Sequence, residues 1–306
     1  MKISVIGAGN VGGLAAMRIA QMGLGEVCLI DIASGLAQGK ALDMQDSQGL
    51  AKINFNLKAG SDYNLINGSD IVVVTAGMSR KPGMAREDLL NKNAAILKEV
   101  CQQVKKFAPD CVLIIVTNPL DIMSRLALTI TGFKPSKVIG MGITLDAARF
   151  ANLISQETNI PVSEIDACVI SSHGEGMMPV ASLTKIKGLA LDEFLTEDKI
   201  KNLITRTIAR GKEIVTLLGS GSAYFAPSAA IAELVKVIAK DEKKVLGVSA
   251  YLNGEYGLKD VCLGVPCRLG KNGIEKIIEL DLADQDKQAL FNCGEQIKKQ
   301  YSSLAI

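Results

Sequence analysis

Residues 2–12 read KISVIGAGNVG, and the parsing of that stretch decides the fold. Lys2 to Ile6 is a short, largely apolar run of strand length, and Gly7-Ala8-Gly9-Asn10-Val11-Gly12 follows it without a break. An amphipathic helix is expected over 11–21, then a second strand over 27–30 that ends on Asp31. A bare GxGxxG is weak, but strand, glycine turn, helix and strand in that order are the context of a dinucleotide-binding turn. The three glycines have separate tasks: a tight turn, close approach of backbone to a pyrophosphate, and close packing of helix on sheet. The unpaired N–H groups at the start of the helix, on Asn10, Val11 and Gly12, offer an anion site. Asp31 stands nineteen positions after Gly12, where a carboxylate accepts hydrogen bonds from an adenosine ribose and repels a 2′-phosphate. The expected cofactor is therefore NAD and not NADP.

Outward from this turn the pattern alternates. Helices are expected over 34–50, 88–107 and 120–131, with strands over 54–58, 71–75, 111–116 and 137–139. Alternation of this kind gives an α/β fold with a doubly wound parallel sheet, whose ligands bind at the carboxyl ends of the strands. Two of those ends carry polar groups: Thr75-Ala76-Gly77, and Val116-Thr117-Asn118 before Pro119. Asn118 can donate and accept, which suits it to position a nicotinamide and a substrate oxygen; its plainer reading is a turn residue before proline. Between the strand at Ile71 and the next helix, Pro82-Gly83 marks a turn with Arg80 and Arg86 on either side, so a mobile basic loop is expected there.

Composition narrows the function. The chain has 306 residues, enough for two lobes with cores of their own. Lysine and arginine total 34 against 32 for aspartate and glutamate, and no basic cluster stands out, which argues against a nucleic-acid partner. The longest apolar runs, IVVV at Ile71 and CVLIIV at Cys111, are too short to cross a bilayer and read as buried strands. The first residues enter a strand at once, so no targeting segment and a cytoplasmic location are expected. Seven cysteines include no CxxC pair, and Cys262 and Cys267 lack companions; reduced thiols and no metal site are expected.

The second half holds the chain's only histidine. Residues 165–179 read IDACVISSHGEGMMP: a strand over 165–170, then a glycine-bearing turn with His173 at its mouth. An imidazole there could serve as a general acid/base or be an ordinary surface residue. Upstream, Asp146 and Arg149 lie three apart and so share a helix face. They could form an intrahelical ion pair, or Asp146 could meet His173 while Arg149 meets an anion.

GAGNVG, Asp31, TAGMSRKPGMAREDLL, VTNPLD, LDAARF and SHGEGMMP, in that order and spacing, resemble the lactate/malate dehydrogenase superfamily. Within it the chain looks like the malate dehydrogenases of lactate-dehydrogenase-like type. The resemblance covers nearly the whole chain. It implies an NAD-binding Rossmann domain over 1–141, with cofactor contacts at Gly7 to Gly12, Asp31, Asn93 and Val116 to Asn118. It implies a substrate domain over 142–306 of helices and a twisted antiparallel sheet, with a tail helix near 284–303. It further implies that His173 is the proton acceptor, Asp146 its orienting partner, Arg149 the grip on the substrate carboxylate and Asn118 a contact to both substrate and cofactor. Arg86 would polarise the reacting oxygen, Arg80 would select the substrate, and Ser222 would line the pocket. A desolvated Arg80 is neutralised by the distal carboxylate of oxaloacetate but faces only a methyl group in pyruvate. The resemblance therefore implies malate as substrate, a place in the tricarboxylic acid cycle and a homodimer or homotetramer. Ser171 and Ser172 before the histidine, Met178-Pro179-Val180 after it, and RFAN at Arg149 depart from the usual pattern. A lactate or other 2-hydroxyacid dehydrogenase, an inactive NAD-sensing module and a metal-dependent NAD-using glycosidase are the alternatives.

Overall fold

Four-residue runs such as IVVV and VLII are buried along their whole length, as parallel strands covered on both faces must be. The computed structural model describes residues 1–78 and 86–304. In its first half, β1 (Lys2–Ile6), α1 (Asn10–Gln21), β2 (Glu26–Ile30), α2 (Ser34–Ala51), β3 (Asn56–Gly60) and β4 (Ile71–Val74) are followed by α3 (Arg86–Phe107), β5 (Val112–Ile115), α4 (Leu120–Thr131) and β6 (Val138–Gly140). The six strands are parallel in the order β3-β2-β1-β4-β5-β6. This is the doubly wound Rossmann order, and its direction of winding reverses between β1 and β4. One face packs Leu97, Cys101 and Val104 of α3 and Met123 and Ala127 of α4 against Val72, Val74, Leu113 and Ile115. Each fully buried valine, leucine or isoleucine contributes about 1.5–3 kcal/mol relative to exposure.

The second half comprises α5 (Ile143–Thr158), β7 (Ile165–Asp166), β8 (Val169–Ser171), β9 (Met177–Pro179), β10 (Lys185–Ile186), β11 (Leu189–Ala190), α6 (Glu197–Leu218), α7 (Phe225–Ala239), β12 (Val245–Asn253), β13 (Lys259–Gly270), β14 (Gly273–Ile277) and α8 (Asp284–Ser302). Its antiparallel strands do not stand apart from the parallel ones. β12 pairs with β6 through Ser249 and Gly140, so β12, β13, β8 and β9 extend the first sheet, while β7, β10 and β11 form a small sheet of their own. A Cβ on Gly140 would lie 2.6 Å from the Cβ of Ser249 and 2.5 Å from Oγ of Ser124, so only glycine permits this junction. The tail helix α8 packs on α4 and β13, with the Tyr301 hydroxyl 2.8 Å from Thr129 Oγ1, beside the nucleotide half.

Two strand boundaries differ from expectation. The strand expected over 54–58 is β3, two residues later, because the Phe55 amide donates to Oε1 of Gln48 and so caps the end of α2 instead of entering the ladder. The strand expected over 165–170 is divided into β7 and β8. The Cys168 amide between them donates to Thr184 Oγ1, which removes it from any ladder and lets the chain change sheets.

Candidate active site

The glycine turn sits at the carboxyl ends of β1 and β4. Gly7 has φ +107°, and a Cβ there would lie 2.7 Å from both the Ala76 nitrogen and Thr75 Oγ1. A Cβ on Gly12 would come within 1.8 Å of the Gly7 carbonyl oxygen, so α1 can start this close to the turn only with glycine. Thr75 Oγ1 donates to the Gly7 carbonyl at 3.0 Å and stiffens the crossing. Gly9, the residue before α1, differs from both: a Cβ on it would meet nothing within 4 Å. Its backbone faces open space, and α1 starts with no side-chain cap and no acidic residue in its first turn. Helix amides without a capping acceptor, beside a backbone no side chain shields, fit the pyrophosphate of a dinucleotide.

Asp31 occupies the end of β2, and its carboxylate is already engaged. Oδ2 accepts from the Ala8 amide at 2.7 Å and Oδ1 from the Ala33 amide at 2.9 Å. The carboxylate thus pins the glycine turn, and its remaining lone pairs are available to a ribose hydroxyl. Asn93, on α3, is a brace. Its amide nitrogen donates to the carbonyls of Met78 and Asn118 at 3.1 and 2.7 Å, and its Oδ1 accepts from the Met78 amide at 2.8 Å. The side chain expected to touch a nicotinamide therefore ties together the two strand-end loops that border that place. Thr117 Oγ1 adds a 2.6 Å bond to the Ala76 carbonyl, which leaves Asn118 exposed at the mouth beyond the half-buried Val116.

The second cluster begins one turn further along the same sheet edge, where β6 passes through Gly142 into α5. A Cβ on Gly142 would lie 2.8 Å from Cβ of His173, so the two segments touch here. His173 Nδ1 is 2.7 Å from Oδ2 of Asp146, whose side chain is fully buried. Arg149 Nη1 donates to the other oxygen, Oδ1, at 3.1 Å. The helical ion pair and the contact of Asp146 with His173 thus hold together, since one carboxylate serves both. Burial by itself pushes the imidazole pKa down, but the Asp146 charge and hydrogen bond, with Asp121 behind them, more than reverse this and leave it raised. Burial lowers the Arg149 pKa, opposed by Asp146. The Arg149 guanidinium is 11% exposed and its Nε is buried without a partner, a donor left over for an anion.

Arg80 lies outside the described residues, and of Arg86 only its place as the first residue of α3 is described. Ser222 is exposed in the segment between α6 and α7. One buried acid was not picked out from the sequence. Asp121, in the first turn of α4, accepts from the His173 amide at 3.1 Å and from Ser249 Oγ at 2.7 Å. An acidic residue in a first helical turn signals only a favourable end charge, and the partners that distinguish this one are remote in the chain.

A dinucleotide turn and an imidazole–carboxylate–guanidinium cluster on one edge of a doubly wound sheet define a nucleotide-dependent oxidoreductase. Residues 1–140 match the model of the lactate/malate dehydrogenase NAD-binding domain, and residues 143–305 that of the lactate/malate dehydrogenase α/β C-terminal domain. The chain belongs to the lactate/malate dehydrogenase family. It is 46% identical to a malate dehydrogenase of Chlorobium limicola over 305 residues, 99% of this chain and 98% of that one. The apo structure of the Picrophilus torridus malate dehydrogenase superposes with a TM-score of 0.95 at 38% identity, covering 98% of this chain and 96% of that one. The Cryptosporidium parvum lactate dehydrogenase, complexed with lactic acid and NAD, gives 0.94 at 37% identity over 99% and 97%.

Proposed function

We propose that the chain acts as an NAD-dependent malate dehydrogenase, catalysing the reversible oxidation of (S)-malate to oxaloacetate. The observation that carries the reading is the shared Asp146 carboxylate, which holds a histidine and an arginine side by side at the sheet edge that bears the glycine turn. Bound NAD supplies the hydride acceptor in one direction and, reduced, the donor in the other. Gly7, Ala8, Gly9, Asn10, Val11 and Gly12 would hold its pyrophosphate, Asp31 its adenosine ribose, and Val116, Thr117 and Asn118, braced by Asn93, its nicotinamide side.

Asp146 on Nδ1 fixes the tautomer of His173 that carries its proton there, so Nε2 is the basic nitrogen that takes the alcohol proton of malate. The imidazolium so formed lies against the same carboxylate, which stabilises it. Arg149 binds the carboxylate next to the reacting carbon through two parallel bonds, fixing orientation as well as adding energy. Arg86 is assigned to the reacting oxygen, where its charge stabilises negative charge as it develops. Arg80 is assigned to the distal carboxylate, and with it the preference for a four-carbon diacid.

The division of labour falls at 141/142, with the nucleotide half before it and the substrate half after it; the two family models end and begin on either side of that point. We place the protein in the cytoplasm as a homodimer or homotetramer, in the tricarboxylic acid cycle, with a small molecule as its partner. Seven free cysteines suit a reducing compartment. Exposed Leu42, Leu50, Leu217 and Phe225 suit contact between copies. The test is NADH consumption measured with oxaloacetate beside pyruvate. A strong preference for oxaloacetate supports the reading, and a preference for pyruvate makes the chain a lactate dehydrogenase instead.

A further inference from the structure

We propose that Asp121 is a positioning residue of this site, holding the main chain at His173 against α4 and β12 and setting a second negative charge behind the imidazole. The proposal rests on the dehydrogenase reading above. Its basis is a buried carboxylate with two donors aimed at it from distant parts of the chain. The His173 amide donates at 3.1 Å and the Ser249 hydroxyl on β12 at 2.7 Å, with the buried Ser172 beside the first. Asp121 is 3% exposed, and Ser249 and Ser172 are buried with it. Ser249 is also the residue through which β12 joins β6, so the carboxylate lies where both halves of the chain meet. It follows Asn118 and Pro119 with only Leu120 between, so the start of α4 joins the strand-end loop of the nucleotide half to the anchor of the histidine.

Burial raises the Asp121 pKa, opposed by Ser249, Ser172 and His173; an ionised carboxylate accepts from the Ser249 hydroxyl and the His173 amide at once, one on each oxygen. The other groups facing this pair are few. Asp146 and Arg149 approach the imidazole from α5, with Arg210 of α6 acting on Arg149, and Glu175 is exposed on the histidine's own turn. Cys262 of β13 faces Asp121, and burial raises its thiol far enough to keep it neutral. Asp146 and Asp121 are therefore the acids whose charges hold the His173 pKa up, and Asp121 reaches it through the backbone, leaving both ring nitrogens to other partners.

Two variants separate the tether from the charge. Asp121→Asn keeps the shape but loses the charge and one acceptor; Ser249→Ala leaves the carboxylate in place and cuts the link to β12, removing one donor that favours the ionised form. Because His173 is the only histidine, its ring titration is read directly by NMR, independently of turnover. In Asp121→Asn the imidazole titration and the acid limb of malate oxidation are expected to move about one pH unit lower, as for loss of an opposite charge nearby. Malate kcat should fall at least tenfold, with the dissociation constant for NADH within twofold of wild type. In Ser249→Ala the titration moves lower by less than in Asp121→Asn while kcat falls severalfold. An unmoved titration in folded Asp121→Asn overturns the charge, and wild-type kcat in Ser249→Ala overturns the tether. Should Asp121→Asn not fold, the Ser249→Ala result alone decides. A wild-type protein without activity on oxaloacetate would refute the dehydrogenase reading instead, and the NMR titration would still report on the pair.

Discussion

The imidazole Nδ1 of His173 and the carboxylate Oδ2 of Asp146 lie 2.7 Å apart across 27 residues of chain, and the same carboxylate accepts from Arg149 through its other oxygen. One buried acid is thereby shared between a group that titrates near neutrality and a group that stays charged. Everything the site can do with protons follows from that sharing.

The first consequence concerns pH. The folded pKa of His173 is raised above its ordinary value, so the pair stabilises the fold fully below the unfolded pKa of about 6.5 and loses that contribution as pH rises through the folded value. The difference in urea midpoint between wild type and His173→Asn is therefore expected to be largest near pH 6 and to shrink toward pH 9. A difference that grows with pH would contradict the assignment. Initial rates should show the matching asymmetry about neutrality, malate oxidation rising with pH and oxaloacetate reduction falling.

Substrate choice is placed on Arg80. In Arg80→Gln the ratio of kcat/KM for oxaloacetate over pyruvate is expected to drop by three orders of magnitude or more, since a desolvated cation no longer requires a distal carboxylate; the order of magnitude follows from roughly 4 kcal/mol for an unpaired buried charge. Unchanged selectivity would move the determinant elsewhere.

Asp31 pins the glycine turn, and the proposed function gives it the adenosine ribose as well; one substitution reads both. In Asp31→Ser the bonds to the Ala8 and Ala33 amides are weakened, and stability is expected to fall by about 1–3 kcal/mol in chemical denaturation. Loss of the carboxylate also removes repulsion of a 2′-phosphate, so the preference for NADH over NADPH should narrow by about tenfold or more. A preference that stays as wide would leave Asp31 with its structural task alone.

Ser171 stands two residues before the histidine with φ +78°, and its hydroxyl is buried without a partner. A left-handed conformation costs a non-glycine residue about 1–2 kcal/mol, and an unsatisfied buried hydroxyl adds to this. Against them stands the greater chain entropy of glycine, about 0.4–1 kcal/mol. Ser171→Gly is expected to raise stability by about 1 kcal/mol in urea unfolding, with kcat within twofold of wild type. Destabilisation would show that the hydroxyl or its Cβ packs to advantage.

Much of the nucleotide half was legible because its signals are local. Apolar runs at Ile71 and Val112 mark strands buried on two faces, and Gly7, Gly9 and Gly12 are spaced by the turn they make. Non-local features were not legible. The spacing of Asp146 and Arg149 left an ion pair and a contact to His173 both open, and only the fold shows that one carboxylate makes both, since no periodicity connects position 146 to 173. The split between β7 and β8 depends on Thr184, and the junction of the parallel with the antiparallel strands on a single pairing of Gly140 with Ser249. Asp121 was not picked out because its partners come from remote positions, 173 and 249.

The most direct test is a comparison of NADH binding and oxaloacetate turnover in His173→Asn, which keeps a polar side chain in the same place without a titrating nitrogen. The account expects kcat to fall roughly a hundred- to ten-thousandfold, the range of general acid–base catalysis, while the dissociation constant for NADH stays within twofold of wild type. Turnover within tenfold of wild type by a folded, NADH-binding variant would contradict it.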